Sequence, residues 1–445
     1  MLKAILYLGL AGFAIIGTFF NPVIGAVGCI EAYFMNPVVL SMPDGGFRYQ
    51  LWTTVAFLLS CLVRWRPGLP RVGREGIVLK SMWIFVGIAM LSTLWAAVNP
   101  QLALDTSYEV FKTVLFATLL LRVVRTERDV SIVITACLVG GLHASALHVF
   151  GTRLGILPAS MSRDVGVLPD FQGPTLMVIV PSLILLAMLG TKWQRVLCWL
   201  TLPVVLDSIV NTYQRADLVA LIVEIAAVLL FLQRKIVFRL LPVLAVGLAI
   251  FMLRLTPDNY WEWMSTITHP TEEASANSRF TIADASWTMF MDYPVLGVGY
   301  RNYIEISPKY FKQEDLDPAN GKRAGHNSFL TVMCETGIVG FSFWIFAFGG
   351  AAWLLRRIRK RADPANLTKV EVYAMGLEIG LYGWLVTGFF HNTHEVDPAY
   401  WIIGLAIALT RLRAQQALEE APAEDVDEIS AESPFTGLIA GEGIH

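Results

Sequence analysis

The chain has 445 residues, of which 55% are hydrophobic and only 16% carry a charge. A soluble domain contains about 25% charged residues, so this composition excludes an ordinary soluble protein and indicates an integral membrane protein. The formal net charge of −2 says nothing about partners, because in a membrane protein the distribution of charge matters more than its sum.

Apolar runs recur from one end of the sequence to the other, each close to the roughly 20 residues that a helix needs to cross a bilayer. Only helices and closed barrels satisfy their backbone polar groups in lipid, and these runs lack the alternating polarity of barrel strands. The sequence therefore predicts an all-α, polytopic bundle of about 12 to 13 transmembrane helices. The first run lacks a small-residue cleavage pattern, so we expect it to stay in the membrane.

Short connections rich in Arg and Lys predict the cytoplasmic side. They comprise residues 64–74, 122–128, 192–195, 234–235 and 356–361. The connections that alternate with them are then external, and comprise 99–109, 152–173, 213–217, the large loop and 391–399. The start of the chain stays open: three spanning runs put the N-terminus outside, whereas one re-entrant run puts it inside.

This pattern divides the chain into four parts. They are N-terminal transmembrane helices (1–254), a large external loop (255–325), C-terminal transmembrane helices (326–412) and an acidic tail (413–445) whose composition predicts disorder. Within the loop we predict a helix from Phe280 to Met291. Its apolar side chains would rest on the membrane, cover a cavity or pack on the bundle.

Ionisable residues at the external helix ends are the candidate site residues. Arg215 either serves a site or snorkels to headgroups or pairs with Asp217. Arg279, before the loop helix, could offer its guanidinium to a phosphate, or be a solvated surface arginine. His326, where the loop re-enters the membrane, is either a titratable group for chemistry on a lipid-borne substrate or a structural histidine.

Other motifs give weaker signals. The five cysteines lie in apolar segments without metal-ligand spacing and are typical of buried thiols. The segment 391–395 (His-Asn-Thr-His-Glu) does not match the zinc helix, so we interpret it as lining a pocket at most. His143 and His148 lie on one membrane helix, where a core role is expected. We interpret Gly337 and Gly340 as small residues that let helices approach closely.

Together these features resemble the O-antigen ligase/polymerase superfamily. The resemblance rests on the arginine at an external helix end, the large loop, Asn277-Ser278-Arg279, Asp292-Tyr293-Pro294 with Gly297 and Gly299, and His326-Asn327-Ser328 with Glu335, Gly337 and Gly340. The segment 33–37 is also similar to the O-glycosylation ligases found with exosortase systems and exopolysaccharide loci, whereas 169–173 departs from that subgroup's pattern.

The resemblance implies a glycosyltransferase of the bacterial inner membrane with its active site facing the periplasm. Members move a glycan from undecaprenyl diphosphate to an acceptor hydroxyl on a lipid, a protein or another glycan. Arg215 and Arg279 would hold the diphosphate and offset its developing charge. His326 would orient or deprotonate the acceptor hydroxyl, and direct attack would invert the anomeric carbon. The arginines could replace a metal, so we expect no metal or cofactor, and partners limited to donor, acceptor and membrane lipids, with no nucleic acid.

Further side chains of the loop would assist substrate binding. Arg301, Lys322 and Arg323 add positive charge that would steer the anionic donor, and Asn327 stands beside His326. Four aromatic residues could stack on sugars or lie at the membrane interface: Trp261, Trp263, Trp287 and Tyr300.

Two alternatives share the donor. A polymerase would join repeat units on the carrier; the moderate size of the loop at 152–173 favours the ligase, because polymerases often carry two sizeable external loops. A flippase for the lipid-linked glycan would need matched halves with broken helices, and the sequence shows no such symmetry.

Overall fold

The computed structural model describes residues 2–35, 49–64, 69–152, 169–212, 214–250 and 274–420. Regular structure in these ranges is helical, which confirms the predicted class. The helices are α1 Leu2–Phe20, α2 Pro22–Met35, α3 Tyr49–Val63, α4 Gly76–Leu91, α5 Pro100–Val123, α6 Glu127–Thr152, α7 Pro169–Leu189, α8 Lys192–Asn211, α9 Arg215–Phe231, α10 Arg234–Ile250, α11 Ala274–Asp292, α12 Ser328–Arg361, α13 Lys369–Gly388 and α14 Asp397–Glu420.

Several predicted features lie partly or wholly outside the described residues. They are Trp261, Trp263, most of the loop at 152–173, and the tail from residue 421. Helix α14 runs to Glu420 and so includes the first residues of the predicted tail, and the predicted division of the chain stays a prediction. Helix α11 begins at Ala274 rather than at Phe280, which places Asn277-Ser278-Arg279 inside the helix instead of before it.

The protein is a multi-pass helical membrane protein. Four segments are long and apolar enough to cross a membrane: Gly76–Leu94, Glu127–Val149, Lys192–Asn211 and Ser328–Arg361. Shorter apolar helices accompany them in α1, α2, α3 and α7. For the remaining helices, the predicted total of about 12 to 13 crossings stays a prediction.

Contacts sort the connections into two ends of the bundle. At one end, which we call the basic end, Arg411 pairs with Glu75 at 3.0 Å and Lys369 pairs with Glu127 at 2.7 Å. Connections that the sequence predicts to be external meet at the opposite end, which we call the site end. There the backbone N–H of Asn99 donates to the side chain of Asn302 at 2.7 Å.

The first helix begins at the site end. The Arg64 guanidinium donates to the Phe20 carbonyl at 2.7 Å, and the Ser60 hydroxyl donates to the Thr18 carbonyl at 2.6 Å. The last turns of α1 and α3 therefore lie together at the basic end. The N-terminal residues of α1 therefore lie toward the site end, while the orientation of the N-terminus relative to the membrane stays open.

Helix α12 consists of two arms that meet at Gly337, where φ is 63° and ψ is −174°. The ring centroids of Phe329 and Trp344 are 5.8 Å apart, whereas a straight helix would place these two residues about 22 Å apart along its axis. The first arm (328–336) therefore folds back beside the start of the second arm (338–361).

Loop residues 294–299 close this break, and we call the junction the apex. The Ile338 N–H donates to the Pro294 carbonyl at 2.8 Å, and the Gly299 N–H donates to the Glu335 carbonyl at 3.0 Å. A break in a helix leaves such backbone groups without intrahelical partners. The loop supplies the partners, so the apex is held by paired backbone groups.

Glycine is required on both sides of the apex. Gly297 and Gly337 have φ values of 71° and 63°, a region that side chains other than glycine rarely adopt. A Cβ at Gly297 would stand 2.6 Å from the Cys334 carbonyl oxygen, and a Cβ at Gly337 would stand 2.6 Å from the Leu296 nitrogen. The interpretation of Gly337 as a helix-packing residue is therefore wrong, because it forms the break itself.

Gly340 does serve helix packing, as predicted: a Cβ there would stand 3.3 Å from the Ile88 side chain on α4. Helix α11 packs on the first arm, where the Cys334 thiol donates to the Ser286 carbonyl at 3.1 Å. The Ser286 hydroxyl also bonds the Tyr303 hydroxyl at 2.7 Å. These contacts tie the loop helix to α12 below the apex.

Candidate active site

The connection between α13 and α14 (389–396) forms the base of the site, and we call it the floor. The Ser328 hydroxyl donates to the His391 carbonyl at 2.7 Å and accepts the Thr393 N–H at 2.6 Å. The Asn327 amide donates to the Phe389 carbonyl at 3.2 Å. Two side chains of the His326-Asn327-Ser328 motif thus fix the floor under His326.

Arg279 and His326 come together over this floor. The Arg279 guanidinium lies 5.3 Å from the centroid of the Phe390 ring. Burial, followed by the charges of His326 and Arg279, lowers the pKa of His391 to about 4. The structure thus gathers two of the three predicted catalytic residues around a histidine that was not predicted to be one of them.

His326 stands in a strained turn. Its φ is 44°, and a residue other than glycine held in this region costs about 1 to 3 kcal/mol. The next residue, Asn327, caps α12 by accepting the Leu330 N–H at 3.0 Å. The imidazole of His326 is exposed. The cap and the floor hold the turn in place, which keeps a titratable group facing outward.

Arg215 is the first residue of α9 and lies at the site end. Helix α9 packs on α13, where the Glu224 carboxylate lies against Gly383. Counted along the helix axes from this contact toward the site end, Arg215 stands about 14 Å away and Gly388, the last residue of α13 before the floor, stands about 8 Å away. Arg215 therefore lies at the same end of the bundle as the floor, on the side that α9 occupies.

The floor is recessed below the ends of neighbouring helices. The Tyr300 ring stands 6.2 Å from the Phe85 ring and 6.5 Å from the His394 ring, centroid to centroid. Phe85 lies about 9 Å below Leu91, the last residue of α4. One side of the floor thus packs against α4 and the loop residues that follow the apex.

Arg301 joins this wall to the floor. It forms an ion pair with Glu395, and its own backbone φ is 61°. Burial lowers the pKa of Arg301, but the carboxylates of Glu395 and Glu335 outweigh this and raise it. Two carboxylates thus already compensate its charge, and this contact favours a positioning role over the predicted steering of the donor.

The other predicted binding residues fall into distinct environments. Tyr300 is only 1% exposed in this arrangement, and its predicted stacking on a sugar stays a prediction that would require its ring to become accessible. Lys322 lies 2.7 Å from both carboxylate oxygens of Glu305. Arg323 makes no ion pair among the described residues, and its Nε is buried without a hydrogen-bond partner there. Of the three added cations, Arg323 therefore offers the least compensated charge.

Metal-binding groups show no comparable gathering. The described ranges bring together no three His, Cys, Asp or Glu residues that could hold a metal ion, and metal independence stays a prediction. His391 is the residue that the sequence reasoning undervalued. The cluster His391-Asn392-Thr393-His394-Glu395 in an external connection was a signal, but only the fold shows that it lies beneath His326.

Residues 200–345 match the family model described as O-antigen ligase. This segment resembles an O-antigen ligase domain. The match covers about a third of the chain, and it supports the resemblance to the ligase/polymerase superfamily and to a membrane enzyme of this type. The matched segment includes Arg215, Arg279, His326 and the apex, whereas the floor follows it. A search of curated proteins found no match for the chain. Membership of the exosortase-associated subgroup stays a prediction.

Proposed function

We propose that the protein is a ligase-type glycosyltransferase that moves a glycan from undecaprenyl diphosphate to an acceptor hydroxyl at the periplasmic face of the bacterial inner membrane. The observation that carries the proposal is the gathering of Arg279 and His326 over the recessed floor, inside the O-antigen ligase segment.

The arginines would bind the diphosphate. A guanidinium donates two parallel hydrogen bonds to phosphate oxygens, and preorganised positive charge near a leaving group stabilises the charge that develops there. Arg279 stands directly over the floor, and Arg215 lies at the same end of the bundle. Arg323, three residues before His326, is placed to add a third cationic contact.

His326 would act on the acceptor. Its neutral imidazole accepts the proton of the acceptor hydroxyl as the hydroxyl oxygen bonds to the anomeric carbon. The bond from that carbon to the diphosphate oxygen breaks, and the diphosphate leaves with the bonding pair. Attack and departure on opposite sides invert the configuration. His391, whose pKa is about 4, stays neutral beside the imidazolium and so adds no repulsion.

Two competing uses of the site predict different products. A polymerase shares this chemistry and differs in its acceptor, which is a second lipid-linked glycan. A flippase would use a broken helix to bind its cargo. Helix α12 is broken at Gly337, but residues 294–299 already pair with the groups at the break, which argues against a cargo site there.

Mass spectrometry of lipid-linked glycans in the native host tests the proposal. In a His326→Ala strain, we expect long glycans to accumulate on undecaprenyl diphosphate while the final acceptor stays bare. Glu314→Ala, at an exposed position of the loop, is the matched control and should leave the profile unchanged. Accumulation of single repeat units would indicate a polymerase, and an unchanged profile in His326→Ala would remove His326 from the mechanism.

A further inference from the structure

Helix α11 carries apolar side chains on two of its faces. The inner face is buried against the rest of the loop and α12, and comprises Ile282, Ala285, Met289 and Phe290. On the outer face Phe280, Trp287 and Met291 are 71%, 53% and 58% exposed. Their spacing of seven and four residues places them along one line of the helix. Packing on the protein therefore accounts for one apolar face and not for the other.

The exposed line continues past the end of α11. Val295 and Leu296, at the apex, are also exposed, and we call these five residues the apolar stripe: Phe280, Trp287, Met291, Val295 and Leu296. The Trp95 indole donates to the Leu296 carbonyl at 3.2 Å, and Val295 adjoins Ile338 through the apex hydrogen bonds.

The stripe is therefore continuous with the outer surface of two segments that are long and apolar enough to cross a membrane. Leu94, in the span Gly76–Leu94, is 81% exposed, and Ile338, in the span Ser328–Arg361, is 46% exposed. Exposed apolar side chains of a membrane span face lipid. A contiguous apolar surface in water is rare on soluble domains and marks a contact with another apolar phase.

The rest of the outer face of α11 is polar. Thr281, Asp284 and Thr288 are exposed and lie on one side of the stripe, turned from it by about 40° to 100°. The outer face thus divides lengthwise into an apolar stripe and a polar flank. This division is typical of a helix that lies at a membrane interface, and a fully inserted helix would not place Asp284 at its surface.

We infer that the apolar stripe is immersed in lipid, in the leaflet at the site end, and that the polar flank faces the headgroups. The occupant is bilayer lipid because the stripe extends the lipid-facing surface of α4 and α12 without interruption. Arg279 immediately precedes Phe280, so immersion would fix its guanidinium near the level of lipid phosphates. The inference does not depend on glycan transfer, and it gives Trp287 a lipid contact in place of the predicted sugar contact.

Depth measurement by electron paramagnetic resonance on the full chain in phosphatidylethanolamine–phosphatidylglycerol vesicles tests this inference. Nitroxide labels are placed at Trp287→Cys and Met291→Cys on the stripe. The controls are Thr288→Cys on the flank and Glu314→Cys elsewhere in the loop. Unsubstituted protein, treated with the same label, gives the background from the five native cysteines. Collision with oxygen reports lipid, and collision with a water-soluble nickel chelate reports solvent.

The expected result is a higher oxygen-to-nickel ratio at 287 and 291 than at 288 and 314. The use of two stripe positions keeps the test valid if one variant fails to fold. Equal ratios at 287, 291 and 314 would overturn the inference and leave sugar stacking or a protein partner as the role of Trp287. A ratio at 288 as high as at 287 would overturn it as well, because the whole helix would then be inserted.

Discussion

The apex and the floor are both irregular backbone at the site end, yet they are built in opposite ways. At the apex the loop and the two arms of α12 pair their backbone groups, and glycines occupy the positive φ values. In the turn above the floor the positive φ belongs to His326, and side chains near it are titratable. Strain relieved by glycine indicates a structural junction, whereas strain retained on a histidine indicates a functional one.

The largest expected effect is at the apex. Gly337→Ala would force a Cβ against the backbone of Val295 and Leu296 at a positive φ, and we expect it to lower the free energy of unfolding by more than about 2 kcal/mol. Gly349→Ala, in the second arm of the same helix with open space around it, is the matched control. Thermal unfolding in detergent checks this, and equal midpoints for the two variants would contradict the apex as described.

The second prediction concerns His326, where we expect a substitution to affect activity more than stability. His326→Gly relieves the strained φ while increasing the freedom of the unfolded chain, and these effects oppose. We expect the free energy of unfolding to change by less than about 1 kcal/mol, while transfer falls by about 10² to 10⁴-fold through loss of a general base. His326→Ala should lose the same activity but keep the strain. Retained transfer in His326→Gly would show that the turn, rather than the imidazole, serves the reaction.

The third prediction concerns the buried side of the floor. The pKa of His391 falls from 6.5 to about 4 on folding, so the unfolded chain binds a proton more readily than the folded one. The stability from the neutral imidazole is complete above pH 6.5 and is lost as the pH falls toward 4. We expect this loss to be on the order of 1 to 3 kcal/mol.

Glutamine does not ionise between pH 4 and pH 7, so the His391→Gln variant lacks the pH-dependent contribution of His391 to stability. Denaturation midpoints between pH 7 and pH 4 should decline less steeply in the variant than in the unsubstituted protein. His394, whose pKa burial lowers to about 3, is present in both proteins and cancels from the difference. Parallel slopes would mean that His391 is not held neutral by the fold.

The comparison also shows what a sequence can reveal. Composition and apolar runs predicted the all-α membrane class. The basic connections predicted which connections lie together at one end of the bundle. A charge or an imidazole at a membrane boundary made Arg279 and His326 candidates, and only the resemblance assigned them roles. Their proximity to each other agrees with the resemblance, while their roles stay predictions.

The apex and His391 were not predicted for a physical reason. A sequence does not distinguish a glycine that breaks a helix from one that lets two helices approach. At Gly337 the distinction comes from the hydrogen bonds between residues 294–299 and the neighbours of Gly337. The depressed pKa of His391 arises from burial and from residues far away in the chain. The burial of Tyr300 was not predicted for a similar reason, because local sequence gives no measure of burial.

The smallest expected effect is a difference in donor binding between substitutions of two adjacent cationic residues, Lys322 and Arg323. Lys322 is paired with Glu305, whereas Arg323 has a buried Nε without a hydrogen-bond partner among the described residues. Lys322→Met should change the free energy of unfolding by no more than about 1 kcal/mol, since half-exposed ion pairs contribute little, and should leave donor binding nearly unchanged. Arg323→Met should raise the KM for the lipid-linked donor several-fold with kcat affected less, because it removes a contact made before the reaction.

If the two variants raise KM equally, the positive charge of this segment acts only as a diffuse field. The donor-binding site is then limited to the arginines of α9 and α11.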